Sequence, residues 1–234
     1  MSDKAQGLRE RKRLKTALLI SDTSLELFEK QGTAGTTVDE IADAVGISQR
    51  TFFRYFPRKE DAVFWNSFWS TDHLTHLVDH AALDIRAGTD PVAALHHHWT
   101  RTFTEFIGDD TALHRFLRLN RLIHTDPALL TAALERNQAF VRHAGDRLGA
   151  DLAPALPAWA ARTAVALVSS VFRVTLDEVA RRERIDAPAD IAAVHGNVVG
   201  VLRSARIALE PGVRGPQPQG ACAPAGPALD QGLG

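Results

Sequence analysis

The chain has 234 residues, a formal net charge of -1, 45% hydrophobic and 24% charged residues. Those values exclude a fibrous or wholly disordered chain and leave room for a sizeable core, divided between a small unit and a larger one. A near-neutral total also excludes a polycation, so any nucleic-acid contact must come from local charge.

The first predicted helix covers residues 8–31. It opens on a basic run, Arg9, Arg11, Lys12, Arg13 and Lys15 with Glu10 between them, and residues 1–60 carry 11 Lys/Arg against 9 Asp/Glu. Leu14, Leu18, Ser21, Leu25 and Phe28 recur at steps of four and three, which places them on one helical face. Gly32 ends the helix and residues 33–36 form a loop. Thr37 caps a second helix over 37–45, with Glu40 three residues on in a capping-box arrangement. Gly46 supplies a left-handed turn, and Ser48 caps a short third helix over 48–55 that Pro57 terminates. A fourth helix is expected from residue 59 to beyond 76.

Past that point proline is the best guide. Asp90-Pro91 and Asp126-Pro127 each pair a capping residue with a proline suited to the first helical position, and Pro157 and Pro188 suit that position too. Helices are therefore expected at 91–107, 110–124, 127–148, 157–182 and 188–209. No segment shows the sustained period-2 alternation of a strand. The expected fold is all-α: an N-terminal three-helix helix-turn-helix domain followed by a helical ligand-binding and dimerisation domain, about nine helices in all. The expected divisions are 1–60, 61–210 and a disordered tail at 211–234, where five Pro and six Gly leave little to bury. That tail holds the one cysteine, Cys222, which excludes an intrachain disulfide and argues against a cysteine zinc site. The polar N-terminus has no apolar signal segment, and the longest apolar run, 163–172, is too short to span a bilayer. The sequence thus points to a cytoplasmic protein with no membrane partner.

The second and third helices carry the functional signal. Ala42 permits close approach, Gly46 makes the turn, and Ile41, Val45, Ile47 and Phe52 are spaced to form a small core beneath two crossing helices. Gln49, Arg50, Thr51 and Tyr55 are then left on the outer face of the third helix, all able to donate hydrogen bonds in a major groove. An ordinary helical hairpin would not need that coincidence of small, glycine, apolar and polar positions. An all-helical enzyme finds no support: the chain has no Gly-rich phosphate loop, no His-Glu-x-x-His and no nucleophile elbow. An architectural DNA-binding protein would be basic throughout.

Residues 9–65 resemble the DNA-binding domain of the TetR (tetracycline-repressor) family. The likeness runs from Thr36 through Ala42, over Val45-Gly46-Ile47-Ser48, and from Thr51 to Asp61. It implies a dimeric, cytoplasmic and nucleoid-associated transcription regulator, a repressor released from double-stranded operator DNA by a small organic effector, with no catalytic activity, metal or cofactor. It places Gln49 and Arg50 at base edges, and Thr37, Ser48, Thr51, Phe53, Tyr55 and Lys59 at the DNA backbone or packed beside it. It also implies dimerisation through the last two helices. Ala161, Ala164, Val165, Val168, Val171 and Phe172 on one, with Ile191, Val194, Val198, Val201 and Leu202 on the other, are the expected contacts. For the effector the expected lining is Trp65, Trp69, His98, Trp99, Arg101, Phe103, Arg115, Trp159 and Arg162. His96, His97 and His98 point about 100° apart on a helix, so the three cannot line one cavity. The fourth helix is the expected mechanical link between effector and DNA.

Overall fold

The computed structural model describes residues 2–65, 71–185, 187 and 190–205. Ten helices follow in order: α1 (Ser2–Gly35), α2 (Val38–Val45), α3 (Gln49–Tyr55), α4 (Lys59–Ala62), α5 (Thr71–Arg86), α6 (Pro91–Ile107), α7 (Asp110–Thr125), α8 (Pro127–Asp151), α9 (Ala158–Arg184) and α10 (Ile191–Ala205). No strand occurs among the described residues, and no helix there is long and apolar enough to cross a membrane. The expected tail at 211–234, Cys222 and Pro188 lie outside the described residues.

Local chemistry sets most boundaries. Gly32 (φ 74°, ψ 163°) breaks α1, a conformation that glycine adopts without Cβ strain. Asp90 accepts from Ala93 N at 2.9 Å, and Asp126 accepts from Ala128 N at 2.9 Å, with Pro91 and Pro127 in the first helical positions. Pro157 stands one residue earlier than expected, as the cap of α9.

Two expectations fail, each for a tertiary reason. The buried face of α1 is Ala17, Ile20, Ser21, Ser24, Leu25 and Phe28, whereas Leu14 and Leu18 are exposed. The helices packed on α1, not the row of leucines, select its buried face. The long fourth helix is also absent as such: α4 stops at Ala62. Phe64 N and Trp65 N turn back to Asp61 O and Ala62 O, three residues away rather than four. Ser21 Oγ donates to Ala62 O at 2.7 Å and to Trp65 O at 3.3 Å, and Arg115 donates to Val63 O at 3.2 Å. These carbonyls thus accept hydrogen bonds from α1 and α7, and with α4 and α5 as separate elements ten helices occur among the described residues where about nine are expected.

Two apolar clusters result. One joins α1–α4 to the body, with Ile20, Phe28, Ile41, Phe52, Phe56 and Phe64 packed against Leu119 and Ile123 of α7 and Leu129 and Ala132 of α8. The other fills the body: Trp99 stacks on Phe172 with centroids 5.2 Å apart, and Phe103 meets Phe116 at 5.6 Å. Ala161, Ala164, Val165, Val168 and Phe172 belong to this interior and Val171 is buried beside them in sequence, so they are unavailable to a second chain. The exposed apolar residues of α9 are Trp159 (68%), Leu167 (48%) and Val174 (43%); on α10, Val194 is buried and Val201 is 69% exposed.

The α8–α9 crossing is backbone to backbone. A Cβ on Gly149 would lie 2.5 Å from Ala158 Cα, and one on Gly145 would lie 2.6 Å from Arg162 Cα. Backbone cannot yield as a flexible side chain can, so Gly149→Ala is expected to cost about 1–3 kcal/mol in urea unfolding. Gly7→Ala, on an α1 glycine with nothing within 4 Å of the added Cβ, should leave stability unchanged or raise it slightly. Equal effects at the two sites would refute the close crossing.

Candidate nucleic-acid interface

Each turn of the helix-turn-helix is held by the groups its sequence provides. Thr37 Oγ1 accepts from Glu40 N at 3.2 Å, while Glu40 Oε2 accepts from Thr37 N at 2.7 Å and from its hydroxyl at 3.0 Å. The backbone and hydroxyl donors of Thr37 hold the Glu40 carboxyl below its ordinary range. Gly46 sits at φ 74°, ψ 36°, and Gly46 N and Ile47 N close α2 on Asp43 O and Ala42 O. Ser48 Oγ accepts from Thr51 N at 3.2 Å to start α3. Phe52 is fully buried and anchors α3 over Ile41 and Phe28.

The opposite face of α3 is open. Ser48, Gln49, Arg50, Phe53 and Arg54 are exposed, and Thr51 and Tyr55 are half-buried. Tyr55 packs on Phe56, with the Arg54 guanidinium 5.6 Å from its ring centre. Phe53 meets Phe52 edge-on and presents an apolar surface. The basic residues 9–15 are all exposed on the first turns of α1, ahead of its buried portion.

Lys59 and Thr37 already have internal partners. The Lys59 ammonium donates to Thr33 O and Thr36 O, both at 2.6 Å, tying down the loop after Gly32 and leaving one N–H for an outside acceptor. The Thr37 hydroxyl is engaged with Glu40 as both donor and acceptor.

A junction that the sequence did not reveal lies beneath this surface. Arg115 Nε donates to Asp22 at 2.9 Å, and its Nη2 reaches Ser21 Oγ and Val63 O. One turn on, Arg118 clasps Glu29 with two hydrogen bonds, and this holds the Glu29 carboxyl below its ordinary range. Asp126, while capping α8, also accepts from Thr33 N at 3.0 Å. Burial pushes its carboxyl up, but the hydrogen bonds from Thr33, Leu129 and Ala128 outweigh that and hold it low. The one signal in the sequence was Ser21, a polar residue in an apolar stripe.

The residues expected around an effector are dispersed. Trp99 and Phe103 share the body core. His98 bonds Asp84 at 2.7 Å, Arg101 pairs with Glu105 at 2.9 Å on an open face, and Arg115 is at the junction. Trp159 is exposed, and Arg162 pairs with Asp146 at 3.4 Å beside Gly145. Trp65 packs on Phe56 in the N-terminal cluster; Trp69 lies outside the described residues. His96, His97 and His98 diverge as expected: His96 meets His195, and His98 meets Asp84.

Residues 20–63 match the family described as bacterial regulatory proteins, tetR family. The chain is 36% identical over 143 residues to the HTH-type transcriptional regulator TcmR of Streptomyces glaucescens, covering 56% of this chain and 58% of that one. It is 43% identical over 67 residues to MftR of Mycobacterium tuberculosis, covering 29% and 32%. It therefore spans 58% and 32% of the lengths of these two relatives. Among solved structures, the TetR-family transcriptional repressor FadR of Thermus thermophilus, in complex with lauroyl-CoA, aligns over 87% of this chain and all of that one. The TM-score is 0.45 and the identity 22%.

The geometry separates two kinds of variant. Arg50→Ala removes only an exposed group, so it should leave the melting temperature unchanged while weakening cognate DNA binding by about 1–3 kcal/mol. Lys59→Ala should lower the melting temperature of the free protein as well, because Thr33 O and Thr36 O both lose the ammonium donor. Calorimetry of the free variants together with fluorescence anisotropy on DNA distinguishes them; a lowered melting temperature for Arg50→Ala would contradict this assignment.

Proposed function

We infer that this chain, whose residues 20–63 match the tetR family, is a sequence-specific DNA-binding transcription regulator: a cytoplasmic, nucleoid-associated homodimer that represses, and that a small organic effector releases from its operator. The observation that carries this reading is the α3 face, where a polar, exposed surface is set on a buried Phe52 anchor and bracketed by two capped turns. Gln49 and Arg50 read base edges. Ser48, Thr51, Phe53, Tyr55, Thr37 and the remaining N–H of Lys59 fix α3 on the backbone, and the basic start of α1 adds sequence-independent attraction.

Two such heads must reach successive major grooves, which calls for a two-fold dimer. Leu167, Ser170 and Val174 lie three and four residues apart on the exposed side of α9, and Val201 is exposed on the neighbouring α10. This face, rather than the buried row beginning at Ala161, is the surface available for a mate.

For the effector, Trp99 and Phe103 are the best placed of the expected residues, because they pack with Phe172 and Phe116 in one aromatic interior. Phe116 belongs to that interior and the adjacent Arg115 belongs to the head junction. A ligand that parts Phe103 from Phe116 therefore acts on α7, and α7 carries the displacement to α1. This link replaces the continuous fourth helix.

Selection of genomic fragments by the purified protein, followed by footprinting, tests the function: a discrete operator supports it, and equal affinity for random DNA overturns it. Leu167→Glu with Val174→Glu should convert the dimer to monomer in sedimentation and weaken operator binding at least tenfold. An effector found by screening should bind free protein and protein–operator complex with affinities differing by about 1–3 kcal/mol, reciprocally with its effect on DNA. Equal affinities in the two calorimetric titrations would refute the switch.

A further inference from the structure

His96 on α6 and His195 on α10 meet with ring centroids 5.3 Å apart and planes 8° from parallel, their Nε2 atoms separated by 3.1 Å. The other nitrogen of His195, Nδ1, lies 3.2 Å from Thr175 Oγ1 on α9, and its ring packs 4.5 Å from Phe172. Thr175 is buried, and its hydroxyl donates to Val171 O at 2.8 Å. That contact uses the only hydroxyl proton, so Thr175 Oγ1 accepts from His195, and His195 Nδ1 carries hydrogen. Neutral His195 then has a bare Nε2, and the bridging hydrogen belongs to His96. The hydrogen-bond chain runs one way, from His96 through His195 and Thr175 to Val171.

This direction fixes what acid does. One added proton makes His96 a charged donor to a neutral acceptor and preserves the bridge. A second, on His195 Nε2, sets N–H against N–H at the same separation, so the bridge is lost and two like charges face each other. Burial, and then the charge of His96, hold the His195 ring below the ordinary imidazole range. A histidine with a lowered folded value binds fewer protons folded than unfolded, so the stability it supports is present at neutral pH and declines as pH falls through the ordinary imidazole value. Charged groups that follow Thr175 on α9 are engaged with other partners: Asp177 with His124 at 2.9 Å and Arg173 at 3.2 Å, and Glu178 with Arg181 and Arg182. His124 has the opposite sign, since its bond to Asp177 raises it and mild acid strengthens that contact.

We propose that the His96–His195 pair is a proton-sensitive latch that seats α10 on α6 and α9 at neutral pH and releases it in mild acid. Among the described residues, Val194 and Ile191 anchor α10 against the core by apolar contact, which pH does not alter, whereas the histidine bridge is a contact that acid can remove. An effect on the dimer would rest on the α9–α10 face proposed above; the seating of α10 within one chain does not.

Hydrogen exchange of the full chain at pH 7.5 and 5.5, with times scaled for intrinsic exchange, tests the latch. Protection over 191–201 should fall at least tenfold on acidification while α9 holds. His195→Phe keeps a ring against Phe172 and cannot titrate, and His96→Gln keeps a donor without charge; in both, the loss should shrink to less than threefold. Unchanged α10 protection in the parent protein, or a full loss persisting in both variants, would overturn the proposal. Sedimentation at the same two pH values reads the dimer separately: a released α10 in an intact dimer would sustain the latch and remove α10 from the interface.

Discussion

The polar contacts between the α1–α4 head and the rest of the molecule centre on Arg115. Its guanidinium, with little side-chain exposure, is shared among Asp22, Ser21 and Val63 O. A buried guanidinium is tolerated only where its donors are matched, and here the partners come from α1 and from the end of α4. Ser21 relays the arrangement, accepting from Arg115 while its single hydroxyl proton is directed chiefly at Ala62 O, with Trp65 O as the longer arm. Removing the arginine would strand a carboxylate and a helix end together. Because Asp22 is half exposed, solvent screens the ion pair, and the greater part of the constraint lies in geometry rather than Coulomb energy.

That geometry makes head and body one packing problem. The helix-turn-helix is too small to bury Phe28, Phe52 and Phe56 alone; Leu119, Ile123, Leu129 and Ala132 complete its core. Helix α7 is thus read by both interiors, through Phe116 on one side and Leu119 on the other. A close-packed helix in this position shifts as a body, since cores transmit strain more readily than they absorb it. The same logic explains why α4 need not continue: its end is held by α1 and α7.

What could be read in the sequence was what is local. The Thr37–Glu40 box, the Gly32 and Gly46 breaks, and the Asp-Pro starts of α6 and α8 are decided within four residues, and each is found as expected. The all-α class follows from the same signals. What could not be read depends on neighbours distant in sequence. A stripe of leucines on α1 does not say which side another helix will cover, and Leu14 and Leu18 end up outside it. The apolar row of α9 beginning at Ala161, expected to meet a mate, is buried within the chain itself. Lys59, placed at phosphate by resemblance, also ties down a loop more than twenty residues earlier in the chain. No spacing rule pairs Arg115 with Asp22.

The claim that Arg115 joins head to body is tested most directly by hydrogen exchange along a denaturant series, comparing Arg115→Met with the parent protein. In the parent, the slowest amides of α1–α3 and of α7 should open together with a single free energy and denaturant slope. In Arg115→Met, which keeps the apolar stem and loses the donors, the α1–α3 amides should open at a lower free energy while those of α8 and α9 stay unchanged. Amides of α1–α3 that open separately in the parent, or that remain coupled to α7 in the variant, would contradict the account.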